Sequence, residues 1–319
     1  MKRLFLPLVL LVAGQRIAFA ATPNTVLQDL KEAQTALAGA DYPRAFALYR
    51  QQADHNPLAQ FTLGLFYQEG WGRTRDPVSA CAWFQKAAQQ RVPTAEHFWG
   101  DCLAQGIGSN VDIPAALDWY GKAAADGHLL SLCSAGDYYI QGKGVAKDAA
   151  RGLAMCTQVA QANSAPAMLK LAHYYRDGRD VPQDLALARR WFQGAAQLGD
   201  VEAQYNLGVM LAQGEGGAPD LNNALFWLET AAGAGYAPAY LPTAVLYANA
   251  PVQKETGALA PAHLAKIYLW ASAAKARSDK PAERAQAEKI EAQVLTVMPA
   301  TWRPDLDKQV IAHLAKYPK

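Results

Sequence analysis

Four cysteines and six histidines are the side chains best suited to chemistry in this 319-residue chain. The histidines, His55, His97, His128, His173, His263 and His313, are spread one to a region. No H-E-x-x-H, C-x-x-C or clustered His/Asp/Glu set offers metal-ligand spacing. No G-x-S-x-G elbow offers a nucleophile. Glu96-His97 has the form of an acid–base pair, although a single histidine on a helix more often packs or faces water. No catalytic, metal-ligating or cofactor-binding residue is assigned. The loops Gly142-Lys143-Gly144 and Gly214-Glu215-Gly216-Gly217 have the composition of a phosphate cradle. A phosphate loop follows a strand, whereas these follow helical patterns and recur at a fixed step, so they read as turns. The cysteines Cys81, Cys102, Cys133 and Cys156 allow three pairings in an oxidising compartment.

What positions these residues is one pattern repeated every 36 residues between Ala59 and Tyr240. Its anchors are Ala59, Ala95, Ala167, Ala203 and Ala239, with Ser131 in the alanine's place at the remaining step. Gly70, Gly106, Gly142, Gly178 and Gly214 keep the period, as do Asp76, Asp112, Asp148, Asp184 and Asp220. Trp83, Trp119, Met155, Trp191 and Trp227 follow, and then a pair of small residues such as Ala87-Ala88. A fixed period of this length means a repeat array. In the first unit Ala59, Leu63, Gly64 and Tyr67 make an apolar helix face. Gly70 and Gly72 stop that helix. Asp76 is placed to cap a second helix that starts at Pro77, with Ala80, Trp83, Ala87 and Ala88 on its apolar side. Neither helix buries its face alone, so successive hairpins must stack.

The hairpin geometry chooses among the cysteine pairings. Cys81 and Cys102 lie on consecutive helices, nearly equidistant from the turn at Val92. Cys133 and Cys156 flank the turn at Gly144-Val145 in the same way. The expected bridges are Cys81–Cys102 and Cys133–Cys156; the alternative is four buried thiols packed as small apolar groups.

The start of the chain, Met1-Lys2-Arg3, then Leu4 to Gly14, then Ala18-Phe19-Ala20, reads as a signal peptide cut after Ala20. The apolar run is shorter than the roughly 20 residues that span a bilayer, and no later stretch is long and apolar enough. Removing residues 1–20 takes the net charge from +2 to −1. Residues 260–319 carry ten basic against six acidic side chains. That distribution lacks the concentrated basic surface of a nucleic-acid binder. The expected organisation is a signal peptide (1–20), a degenerate capping repeat (21–58), five repeats (59–238), and a degenerate sixth repeat with a helical cap (239–319). Two polar helices are expected near 282–297 and 304–316.

The repeating unit closely resembles the Sel-one-like repeat (SLR), a longer relative of the tetratricopeptide repeat. The pattern reads here as Ala203, Leu207-Gly208, Leu211, Gly214-x-Gly216, Asp220, Ala224, Trp227, Ala231-Ala232 and Gly235. It departs at Leu103 and Leu211, where the family has tyrosine, at Asp180 in the second loop glycine, and at Met155. The resemblance implies an all-α, right-handed α-solenoid and a protein-binding role in the periplasm, without catalysis. It implies that first helices line a binding groove. Candidate partner-binding residues on that face are Phe98, Asp101, Asp137, Lys170, His173 and Asn206. Exported relatives include immunity proteins against secreted toxins such as phospholipases, and envelope scaffolds that assist assembly of a cell-envelope complex. Cysteine-rich members have been proposed to bind or cleave cell-wall-type ligands. The first role is the favoured expectation, with an effector or an envelope protein as partner.

Overall fold

Each aspartate that follows a glycine loop starts a helix, and it does so through its carboxylate. Asp76 accepts from the Ser79 amide at 3.1 Å, Asp112 from Ala115 at 3.0 Å and Asp148 from Arg151 at 2.9 Å. Asp184 accepts from Leu187 at 2.9 Å and Asp220 from Asn223 at 3.0 Å. The first helices end on Gly70, Gly106, Gly142, Gly178 and Gly214, all left-handed with φ between 66° and 73°. An L side chain there meets a steric penalty that glycine escapes.

The computed structural model describes residues 29–254 and 257–318. The expected signal peptide lies outside them. Among the described residues there are helices and turns and no strand. The helices are α1 (Lys31–Ala38), α2 (Tyr42–Gln52), α3 (Pro57–Glu69), α4 (Pro77–Gln89), α5 (Pro93–Gln105), α6 (Ile113–Ala125), α7 (Leu130–Gln141) and α8 (Ala149–Gln161). They continue as α9 (Ala165–Asp177), α10 (Leu185–Gln197), α11 (Val201–Gln213), α12 (Leu221–Gly233), α13 (Tyr240–Ala248), α14 (Pro261–Arg277), α15 (Pro281–Val297) and α16 (Arg303–Lys316). The fold is therefore the all-α hairpin array that the period requires. It divides within α8 into two compact units, Met1–Val159 and Ala160–Lys319.

The turn inside each hairpin is closed by backbone. The amides of Asp76, Asp112, Asp148, Asp184 and Asp220 donate to the carbonyls of Tyr67, Leu103, Tyr139, Tyr175 and Leu211, at 2.8–3.0 Å. The side chain at the accepting position is not part of this bond, which is why leucine stands there as well as tyrosine. Asp112→Ala is expected to cost about 1 kcal/mol by removing one cap, with Asp112→Asn close to wild type. Urea unfolding of the two variants checks this.

The tryptophans lie on the apolar side but at its margin, packed against the core and not filling it. Trp83, Trp119, Trp191 and Trp227 are only half-buried. The buried large side chain is the next residue: Phe84, Tyr120, Phe192 and Leu228 are each at most 2% exposed. It lies four residues beyond Ala80, Ala116, Ala188 or Ala224, in line along one helix face. The tryptophan sits about 100° round the helix from it, at the edge of the core. There Arg50 and Lys86 lie over the Trp83 ring and Lys122 over the Trp119 ring.

The third repeat solves its packing differently. Its buried position holds Cys156, and Gly152 replaces the usual alanine four residues earlier. A Cβ on Gly152 would lie 2.4 Å from the Gly136 carbonyl oxygen, and one on Gly136 would lie 2.7 Å from that of Gly152. α7 and α8 thus meet backbone to backbone. Cys133 on α7 is bonded to Cys156 on α8. A second disulfide joins Cys81 on α4 to Cys102 on α5. Both lie in the first unit.

In the second unit the last three helices close the array. Tyr240 stacks on Trp270 with centroids 5.7 Å apart, and the His313 ring of α16 stands edge-on to both. His313 Nε2 lies 3.0 Å from the Tyr240 hydroxyl. Arg277 donates to the carbonyls of Leu314 and Tyr317.

Candidate functional site

The residues expected to face a partner fall into two groups, one in each unit. In the first unit, Phe98 packs its ring among Phe61 and Phe84, with centroids 5.7 and 4.9 Å away. Asp101 accepts from the Tyr120 hydroxyl at 2.5 Å and lies 3.6 Å from His97 Nε2. Both are half-buried and engaged inside the unit. Asp137 lies within 4.8 Å of the Cys133 and Cys156 sulfurs. Among the described residues this trio is the one grouping of metal-ligating types, and its two sulfurs are spent on each other.

Sequence reading treated Ser131 as a substituted anchor; the structure makes it a polar node. His97 Nδ1 lies 3.0 Å and His128 Nδ1 2.7 Å from its Oγ. The two imidazole rings are 4.7 Å apart. With Asp101 at the far nitrogen of His97, the order serine–histidine–aspartate is that of an activated nucleophile. Ser131 is 0% exposed, however. Its oxygen is held by two histidines, and no substrate carbonyl reaches it. The arrangement instead satisfies a buried hydroxyl. Burial, followed by the nearby His97, lowers the His128 pKa to about 4, so that ring is neutral at ordinary pH.

The second unit gathers its candidates on α9 and α11. Arg176 is the organiser, and the sequence reading missed it. One terminal nitrogen donates to Asn206 Oδ1 at 2.7 Å and the other to His173 Nδ1 at 3.0 Å. Because His173 Nδ1 accepts, its proton is on Nε2, which donates to Glu202 Oε1 at 3.0 Å. The Arg176 Nε contacts Asp177 at 3.0 Å. Asn206 Nδ2 is tied to the Glu202 carbonyl at 2.8 Å. The His173 ring stands edge-on to the buried Phe192, 5.2 Å away. Lys170 lies half-buried one turn before His173. The result is a partly exposed polar patch whose side chains are already fixed. The sequence signal for it was present but diagonal. Bonds between successive first helices run at separations of 29 and 30 residues, not at the full period.

The profile of the Sel1 repeat family matches residues 57–92, 93–128, 130–164, 165–200 and 201–236. The chain belongs to the Sel1 repeat family. Among solved structures, this Sel1 repeat protein is similar to one from Oxalobacter formigenes, with 28% identity over 78% of this chain and all of the other, at a TM-score of 0.62. It also resembles c5321, a protective antigen of uropathogenic Escherichia coli with an SLR fold. There the identity is 23%, the coverage 92% of this chain and 62% of the other, and the TM-score 0.63. A weaker likeness, at TM-score 0.48 and 24% identity over 67% of this chain and 84% of the other, is to the immunity protein Pa5087 from Pseudomonas aeruginosa. That likeness is too partial to speak for function. No curated protein matches the chain.

Proposed function

We propose that this Sel1 repeat protein works in the periplasm by holding a protein partner on its first-helix face, and that the partner is a secreted toxic effector which it neutralises, for example a phospholipase. Sel1 repeats serve generally as interaction scaffolds, and no helix among the described residues is long and apolar enough to cross a membrane. The observation that carries the proposal is the Arg176–His173–Glu202–Asn206 network. Immobilising long side chains on binding costs about 0.5–1.5 kcal/mol each. Here the free protein has already ordered them, and an inhibitor needs that economy because it must bind tightly. Two disulfides fit an oxidising compartment outside the cytoplasm.

The experiment is a pull-down with the tagged mature chain from periplasmic extract and from secreted fractions of competing cells. A stoichiometric hydrolase whose activity falls on binding supports the proposal. Arg176→Glu is then expected to weaken that complex about thirtyfold, since it removes a central arginine and takes its donors from Asn206, His173 and Asp177. Circular dichroism would show the variant still folded. Recovery of envelope assembly components, with no hydrolase, would favour a scaffold role instead.

A further inference from the structure

Glu96 is the one acidic side chain among the described residues that is fully buried, at 2% exposure. It sits one position after the anchor Ala95. The same position in two sister repeats is held by Gln60 and Gln204. Both glutamines act alike. Gln60 Nε2 donates to the Ala53 carbonyl at 2.7 Å, just past the end of α2. Gln204 Nε2 donates to the Ala196 carbonyl at 3.3 Å, in the last turn of α10. The last carbonyls of a helix have lone pairs to spare, so each amide adds a bond there; the Ala196 carbonyl accepts from the Gly199 amide as well, at 3.0 Å. Glu96 stands in the corresponding place behind α4. An ionised carboxylate only accepts hydrogen bonds, whereas a protonated one donates. Glu96 Oε2 is buried and has no partner.

Burial favours the protonated form, and the charges around it are divided. Before α5 comes Arg91, with φ 58°, at the turn position that later repeats give to Gly127, Asn163, Gly199 and Gly235. Its left-handed backbone carries the guanidinium to Asp126, where Nε and Nη2 donate to the two carboxylate oxygens at 2.9 and 2.5 Å. This clasp holds the Asp126 carboxyl below the usual carboxylate range. Burial first, and Asp126 second, raise Glu96 to about 7, while Arg91 and Lys122 of α6 pull the other way. His97, the next residue, is turned to Ser131, and His128 beyond α6 is neutral. Two nearby carboxyl groups are thus shifted in opposite directions.

We propose that Glu96 is a neutral carboxylic acid in the folded second repeat, donating as Gln60 and Gln204 donate, and that losing this proton loosens the α4–α5 junction. This is a proton-linked element in the first unit and is independent of the partner reading. The sign follows from linkage. The folded group holds its proton more tightly than the unfolded one, so the stabilisation is complete below about pH 4.5 and is lost as pH rises through about 7. Asp126 acts in the opposite sense and only at lower pH; His128, held near 4 in the fold against an ordinary 6.5, weakens the fold as pH falls below about 6.5, and because it does so equally in wild type and Glu96→Gln, the difference between the two proteins isolates Glu96.

The test follows thermal unfolding and amide exchange in α5 from pH 5 to 9 for the full chain and for Glu96→Gln. The variant restores the sister-repeat donor permanently. The two proteins are expected to agree near pH 5, and by pH 8.5 the variant's folding constant should exceed wild type by about tenfold or more. Parallel profiles across the range would overturn the proposal. Carbon-13 NMR of the wild-type Glu96 carboxyl gives a second measure, one that does not depend on the variant folding. A midpoint near 7 supports the proposal, and a midpoint in the ordinary range near 4–5 overturns it.

Discussion

Reducing both disulfides is expected to unfold much of the first unit at 37 °C while sparing the second. Cys81–Cys102 and Cys133–Cys156 close sequence separations of 21 and 23 residues. In the chain-entropy picture each is worth roughly 3 kcal/mol. Together they approach the total stability of many domains, about 5–15 kcal/mol. All four cysteines lie before Val159, so the second unit loses no cross-link. Hydrogen exchange with and without a phosphine reductant reads this directly. Amides of α3 to α7 should lose protection, and those of α9 to α16 should keep most of theirs. Equal protection in both states would mean that stacking alone holds the first unit.

The second large effect belongs to Gly152. A methyl group there would come within 2.4 Å of the Gly136 carbonyl and 2.6 Å of Ile140 Cγ1. The first obstacle is main chain, which has no rotamer to turn aside. Overpacking of this kind costs about 1–3 kcal/mol, and Gly152→Ala is expected at the upper end. The comparison is Gly121→Ala on α6, where an added Cβ meets nothing within 4 Å and helix propensity favours alanine. Denaturation midpoints should fall for the first variant and hold or rise for the second. Equal midpoints would contradict the close contact of α7 and α8.

Gly152 also marks how far the sequence could be read. The period, the aspartate caps and the cysteine neighbours were legible because they depend on local geometry or on the hairpin turn. The tryptophan position misled because composition draws the eye to the largest ring, whereas register with Ala80, Ala116, Ala188 and Ala224 decides which side chain enters the core. In the sequence Gly152 drew no notice and Cys156 stood out only as a cysteine, and only the third dimension shows that they compensate each other. Polar contacts between repeats were hardest. Ser131 with His97, Arg91 with Asp126, and Arg176 with Asn206 are 34, 35 and 30 residues apart. Such pairs emerge only when neighbouring helices are laid side by side and their tilt is known. Of the expected partner face, His173 and Asn206 join one network, while Phe98 packs on Phe61 and Phe84 and Asp101 bonds Tyr120.

The seat of α16 bears on a different problem, that of growth. A stack of like hairpins contains no instruction to stop, and any bare end is a template for another hairpin or another molecule. Tyr317 lies on the turn at Gly235, where a Cβ would come 2.3 Å from its ring. His313 covers the Tyr240–Trp270 pair. α16 thus covers the aromatic pair, with Lys308 and Lys316 exposed on the helix itself. Removing α16 is therefore expected to bare an adhesive apolar face as well as to lower stability, and light scattering of the truncated chain would read the self-association that follows.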